Sequence, residues 1–358
     1  MATFDPATLN QAWPRPSTPR PIVIVGAGGI VSDAHMPAYR KAGFEVVAIH
    51  DIDAEAARKT AEKWDIPRAC DTLADAVAAG VEANAVFDLA TPPAAHHTIL
   101  PALPEGAAVL IQKPMGSDLD DARAIRATCR ERGLTAAVNF QLRFSPMMLA
   151  VRDAAKRGLL GDLVDVEVHL SLETPWHLFP FLKGLERVEI AVHSIHYLDL
   201  IRGFLGDPSG VYARTVGHPA NEGLTQTRTS AILDYGQDVR CCLSINHNFR
   251  RGPKFQAAHF RFDGTQGTAV VKLGLLLNYP EGEPDELWLA NDDQDWQQVA
   301  LAGGWFPDAF IGTMSNLQRA AAGEDETLVT SVEDAYRTMA LVEACYTSDA
   351  QGATPLPD

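Results

Sequence analysis

The sequence predicts an α/β protein: an N-terminal Rossmann-type, doubly wound parallel sheet followed by an α+β domain with a large, mostly antiparallel open sheet. Three observations carry this prediction. The run Ile22 to Val31, IVIVGAGGIV, passes from four apolar residues straight into Gly26-Ala27-Gly28-Gly29. From there to about residue 140, apolar strand candidates alternate with helical stretches, which is the rhythm of βαβ units. Beyond that point the rhythm gives way to short strands joined by Gly, Asp and Pro turns.

Taken in order, residues 1–21 carry Pro6, Pro14, Pro16, Pro19 and Pro21 with little apolar periodicity, and read as an extended arm. Strands are expected at 22–26, 45–50, 84–89, 107–111 and 135–139, with helices such as Asp53–Trp64, Ala94–Leu103 and Asp118–Arg132 between them. A helix near Pro146–Arg157, a strand near Val164–Leu172 and a helix near Val188–Phe204 open the second domain. Successive strands then fill Val211 to Leu289, turning at segments such as Asp263-Gly264-Thr265. Helices near Ala309–Ala322 and Val332–Ala350 close the chain, and no internal repeat is present.

Composition narrows the function classes. At 358 residues the chain is long enough for two domains with sizeable cores. No apolar run is long enough to span a bilayer and no signal-peptide pattern is present, so a soluble, cytoplasmic protein is expected. A formal net charge of −16, with no compensating basic stripe, argues against nucleic acid and membrane as partners. Cys70, Cys129, Cys241, Cys242 and Cys345 are odd in number, lack metal-ligand spacing and read as reduced thiols.

The glycine run carries chemistry. A buried strand that turns sharply into a helix leaves free N–H groups facing the turn, and such a terminus attracts phosphate. Gly26 permits the turn, Gly28 lets a pyrophosphate approach, and Gly29 and Ile30 complete the expected cofactor-binding turn. Val31 stands where a third small residue is usual, which bears on how closely the helix packs on the strand. A second apolar run, from Val46, ends in Asp51, whose carboxylate can accept hydrogen bonds from both ribose hydroxyls of an adenosine and would repel a 2′-phosphate. A dinucleotide is expected, with NAD favoured over NADP. An ordinary tight turn is the competing interpretation.

With Thr91-Pro92-Pro93-Ala94-Ala95-His96-His97 and Gln112-Lys113-Pro114 also in place, the chain resembles the glucose–fructose oxidoreductase, inositol dehydrogenase and MocA (Gfo/Idh/MocA) family from roughly Ile22 to the C-terminus. The resemblance implies an NAD-binding Rossmann domain over 22–140 and a substrate-binding and oligomerisation domain over 141–358. It implies oxidation or reduction of sugars and cyclitols, and a homodimer or homotetramer formed through the open sheet. Thr91, Pro92 and His96 match the loop lining the nicotinamide half of the site. Lys113 matches the lysine of a Glu-Lys-Pro motif in which Gln112 here replaces the glutamate. Asn139, Gln141 and Arg143 fall where the chain passes from the cofactor domain toward the substrate. His196, with Asp199 three residues on, matches the catalytic histidine. The aspartate usual four residues before it is Val192.

These residues suit hydride transfer from a secondary alcohol or hemiacetal carbon. A histidine titrating near neutrality can take the hydroxyl proton. A lysine ammonium beside the oxygen stabilises developing alkoxide charge. His196 is assigned as base and Lys113 as electrostatic partner, with the exchange of roles left open because burial can depress a lysine pKa. On a regular helix Glu189, His193 and His196 share one face, so His193, oriented by Glu189, is expected to replace the missing carboxylate at the substrate. A third strong metal ligand is not evident beside these residues, and no metal is expected. Trp176 could stack on a sugar ring or anchor a loop. Arg143 could recognise a carboxylate or hydroxyls, or pair with an acidic neighbour. The expected activity is an NAD-dependent sugar or polyol dehydrogenase. Alternatives are a cyclitol dehydrogenase, a carbonyl reductase, a non-catalytic NAD(P)-binding regulator, or a glycosidase using NAD transiently.

Overall fold

Apolar runs of four or five residues between helices make strands covered on both faces, and that is how the first sheet is built. A computed structural model describes residues 4–221 and 223–357. Its first sheet holds β1 (Ile22–Val25), β2 (Val46–His50), β3 (Arg68–Cys70), β4 (Val86–Leu89), β5 (Ala108–Ile111) and β6 (Thr135–Val138). Helices α1 (Met36–Ala42), α2 (Ala54–Trp64), α3 (Leu73–Glu82), α4 (Pro93–Ala102) and α5 (Leu119–Glu131) connect them. All pairings are parallel, in the order β3-β2-β1-β4-β5-β6. The order reverses between β1 and β4, and ligands of such sheets bind at the carboxyl ends of those strands.

Asp53, Thr72 and Asp118 stand just outside α2, α3 and α5, each accepting backbone N–H bonds with its side chain as an N-cap. The short edge strand β3 has no counterpart among the strands expected from sequence, because its three residues, of which Cys70 alone is buried, are too few to make an apolar run.

The chain folds into two compact units that are not contiguous in sequence: 12–145 with 306–339, and the first eleven residues with 146–305 and 340–358. In the second unit α6 (Pro146–Lys156) precedes β7 (Leu163–Ser171), α7 (Ile195–Leu205), β8 (Gly210–Val216), β9 (Arg228–Asp234), β10 (Arg240–Asn246), β11 (Ala257–Gly264), β12 (Gly267–Lys272), β13 (Glu286–Asn291) and β14 (Gln294–Val299). They form an eight-stranded sheet in the order β14-β13-β12-β11-β7-β10-β9-β8, antiparallel except for the central β7–β10 pair. Alternation decides its faces. Val166, Val168 and Leu170 of β7 and Cys241, Leu243 and Ile245 of β10 are buried, whereas His169, Arg240, Ile232 and Tyr212 lie on the exposed face. On the covered face Tyr197 of α7 meets Phe260 at 5.4 Å between ring centroids.

Two sequence expectations change here. The helix near 309–322, α8 (Asp308–Ala321), packs in the Rossmann unit: Phe310, Ile311, Met314 and Leu317 share one core with Ile22, Ile24 and Ile49. Gly312 permits this approach, since a Cβ there would lie 2.6 Å from Cβ of Phe144. Amphipathic periodicity shows that a helix buries one face; it does not show which core receives it. The arm expected over 1–21, whose residues 1–3 lie outside the described set, is tied down. Phe4 and Leu9 are buried, the Phe4 N–H donates to Gln294 on edge strand β14 (3.0 Å), and Gln11 donates to the Ala300 carbonyl (2.9 Å). The final helix, α9, spans Val332–Gln351. Among the described residues no helix is long and apolar enough to cross a membrane, and the five cysteines are free thiols.

Candidate active site

In the Rossmann unit the glycine turn follows β1 directly. The Gly26 N–H donates to the His50 carbonyl at 2.7 Å, and Gly26 adopts φ 111°. A Cβ there would stand 2.3 Å from the Ala90 carbonyl oxygen, so only glycine lets the turn close against the end of β4. At Gly28 a Cβ would meet nothing within 4 Å. Internal packing therefore does not require the lack of a side chain there. The segment from Val31 to His35 starts as a π-helical turn, and Val31 is wholly buried in the core.

Asp51 follows β2 and faces the turn. Its Oδ2 accepts from the Ala27 N–H (2.7 Å) and its Oδ1 from the Asp53 N–H (2.8 Å). Each carboxylate oxygen has a second lone pair, so both retain capacity for a ribose hydroxyl.

Thr91 and Pro92 follow β4, and His96 sits in the first turns of α4. The His96 ring is buried beside the Thr91 backbone, and Thr91 Oγ1, the Asn139 side-chain amide and Gln141 Oε1 are buried without hydrogen-bond partners among the described residues. Buried polar atoms are rarely left so. With the open approach at Gly28, these donors and acceptors fit a dinucleotide that carries several hydrogen-bonding groups. Burial, opposed by the nearby Thr91 backbone, lowers the His96 pKa to about 4. That shift favours the neutral ring, which can still donate and accept hydrogen bonds.

Lys113 lies two residues beyond β5. Its N–H donates to Gln112 Oε1 (3.1 Å), so the glutamine that replaces the motif's glutamate caps the lysine's own backbone. The side chain is half-buried, and burial brings its pKa down to about 8. Arg143 has a different partner from a ligand. Its Nη2 is 2.8 Å from Asp334 and its Nη1 faces the Val329 carbonyl, so the structure realises the ion-pair interpretation.

In the other unit, α7 is preceded by a π-helical turn over Glu189–Ser194 where one regular helix was expected. The five-residue step changes which side chains meet. Glu189, wholly buried, accepts from Ser194 Oγ (2.7 Å) and lies 3.5 Å from His247 Nε2. The expected alignment of Glu189 under His193 rests on regular helical spacing, and the carboxylate meets Ser194 and His247 instead. His193 packs against the His247 ring at 4.5 Å and edge-on to Trp176 at 6.0 Å. Trp176 in turn meets His247 at 6.0 Å, and the Thr174 hydroxyl is 3.0 Å from His247 Nδ1. Val192 packs beside Leu182, Val188 and Leu224, an apolar cluster at the position where the resemblance places an aspartate. His196, one turn beyond His193, is 7 % exposed and stands edge-on to Trp305 at 5.8 Å. Asp199 is buried on the same helix.

Sequence reasoning did not single out His247, Thr174, Asn221 or Asn248. With its amide oriented to satisfy its neighbours, Asn221 accepts from Trp176 Nε1 (3.1 Å) and from the Asn248 amide. The only sequence signal was positional: His247 and Asn248 directly follow the alternating strand β10, where binding residues often sit. Among the described residues no group of His, Cys, Asp or Glu is arranged to hold a metal.

Comparison with known proteins agrees with this fold. Residues 20–140 match the model of an oxidoreductase family with an NAD-binding Rossmann fold, and residues 148–270 match the GFO/IDH/MocA C-terminal domain. The chain belongs to the Gfo/Idh/MocA family. It is similar to D-apiose dehydrogenase of Paraburkholderia graminis, 29% identical over 91% of this chain and 87% of that one. It is also similar to 1,5-anhydro-D-fructose reductase of Ensifer adhaerens, 26% identical over 84% and 90%. A solved oxidoreductase from Agrobacterium radiobacter, in complex with NAD+, L-tartaric acid and magnesium, shares the fold with a TM-score of 0.78, 23% identity and coverage of 94% and 98%. As a Gfo/Idh/MocA member, this chain is an NAD(P)-dependent oxidoreductase acting on CH–OH groups.

Proposed function

We propose that this oxidoreductase is an NAD-dependent dehydrogenase of a sugar or related polyol, with His196 and Lys113 acting at the reacting oxygen. The observation that carries the proposal is Lys113, which stands in the family's Lys-Pro motif just beyond the carboxyl end of β5, where burial brings its pKa down to about 8. The named relatives that act on apiose and on an anhydrofructose support a sugar as substrate. NAD, when bound, supplies the hydride acceptor. His196 takes the proton of the substrate hydroxyl, and the Lys113 ammonium holds the oxygen as negative charge builds on it. His193 and Trp176 hold the rest of the ring, one by hydrogen bonding and one by its aromatic face. Asp51 accepts from the adenosine ribose and sets the preference for NAD over its 2′-phosphorylated form. The exposed sheet face with Tyr212 and Ile232 supports a homo-oligomer that covers it.

The test is NADH formation across aldoses, sugar acids and cyclitols, with NADP in parallel. Turnover of a sugar with NAD is expected. A cyclitol as the best substrate, a better rate with NADP, or ligand binding without turnover would each replace this proposal by one of its rivals.

A further inference from the structure

We propose that the substrate is an anionic sugar, bearing a carboxylate or a phosphate ester, and that Arg250 selects it. This rests on the dehydrogenase reading and adds the substrate's charge. A cavity of about 440 Å³ opens within the second unit, where the segment after β7 meets the segment after β10. That is room for a ligand larger than a bare ring, within the range of small-molecule sites. Trp176 and Tyr279 give it aromatic surface, His247 and Asn248 give it buried polar atoms, and Asn221 adds an amide. This combination suits a polyhydroxylated ring: an apolar face to stack and fixed donors and acceptors around it.

Charge distinguishes the cavity further. In a chain of net charge −16, the sequence FRRGPKF places Arg250, Arg251 and Lys254 within five residues, and Arg250 lines the cavity. Among the described residues none of the three is in an ion pair with a carboxylate. The acidic residue of the lining, Glu173, is engaged with the backbone of the basic loop. Its Oε2 accepts from the Gly252 N–H at 2.9 Å while its own N–H donates to Gln256 Oε1 at 3.1 Å. With the Phe249 N–H donating to the Leu172 carbonyl (3.0 Å), the basic loop is pinned to the end of β7. The backbone that carries Arg250 is thus fixed beside the cavity, which limits the backbone entropy lost when its side chain grips an anion. Arg143, the arginine that the sequence suggested for a carboxylate, is held by Asp334.

The experiment compares sugars matched in ring and different in charge: D-glucuronate with D-glucose, D-galacturonate with D-galactose, and glucose 6-phosphate as the phosphate arm. An acidic member is expected to have a kcat/KM at least about tenfold above its neutral partner. Arg250→Ala should lower that acid-to-neutral ratio about tenfold through KM, and Arg250→Lys should restore part of it. Neutral sugars used as well as their acids, or a ratio unmoved by Arg250→Ala, overturns the proposal. If no sugar reduces NAD, the dehydrogenase reading fails alone, and calorimetry with NADH present decides the cavity. Glucuronate or glucose 6-phosphate bound about tenfold more weakly by Arg250→Ala sustains the anion site. No binding, or equal binding by the variant, removes it.

Discussion

The cofactor-facing part of the Rossmann unit and the histidine cluster of the second unit are built from different materials. The first is largely backbone. Gly26 closes a turn against Ala90, Gly28 leaves open space, and Asp51 is aimed by two N–H groups of its own neighbourhood. The second is made of side chains from separate stretches of chain: Thr174 and Trp176, Glu189 to His196, and His247 with Asn248. A backbone site is written in short motifs, each legible in its own stretch of sequence. A side-chain site exists only after the sheet has brought distant segments together.

Predictions sharpen this contrast. The largest effect is expected at the two groups proposed for the chemistry: Lys113→Ala or His196→Ala should lower kcat by about 10²–10⁴ with NADH affinity little changed, as steady-state kinetics and fluorescence titration would show. A smaller effect of either change would remove that residue from the chemistry. The pH profile then separates their roles. If Lys113 works as an ammonium, kcat/KM falls about tenfold per unit as pH rises through about 8, the pKa its burial gives it. If it is the base, the rate rises through the same value. Lys113→Arg, charged throughout, should lose that limb.

The glycines test the backbone half. Gly26→Ala forces a side chain into the left-handed region and against the Ala90 carbonyl, and should cost about 1–3 kcal/mol of unfolding free energy in a urea titration. Gly28→Val should leave stability within about 0.5 kcal/mol and weaken NAD binding instead. If both variants lose stability alike, the distinction between turn-making and ligand-facing glycine is wrong.

For the side-chain half, His193→Ala should raise the substrate KM about tenfold, the cost of one lost hydrogen bond in a partly dry site. Val192→Asp should destabilise by about 1–3 kcal/mol, because its carboxylate would enter the cluster of Leu182, Val188 and Leu224. A stable Val192→Asp with improved KM would mean that the family's carboxylate is still accommodated here. The smallest change is expected at Asp51→Ser, a severalfold erosion of the preference for NAD in the ratio of kcat/KM values. Equal use of NADP by the unmodified protein would dismiss Asp51 as its determinant.

The sequence by itself determined the parallel sheet, the glycine turn with Asp51 one strand away, the Lys113 segment, and the placing of His193 and His196 on one helical stretch. Each is encoded over a few residues by strand and helix periodicity, by glycine, or by a short motif. Tertiary structure decided the rest. Helix α8 joins the Rossmann core because Phe310 and Met314 find their partners there, and an amphipathic pattern names no partner. Arg143 turns to Asp334, almost two hundred residues away in the chain, a pairing that no local spacing encodes. The π-helical turn, by adding one residue to the step, gives Glu189 to Ser194 and His247. Helical arithmetic from sequence assumes a regular turn, whereas the packing of β10 against the segment after β7 determines which histidine stands beside the buried carboxylate.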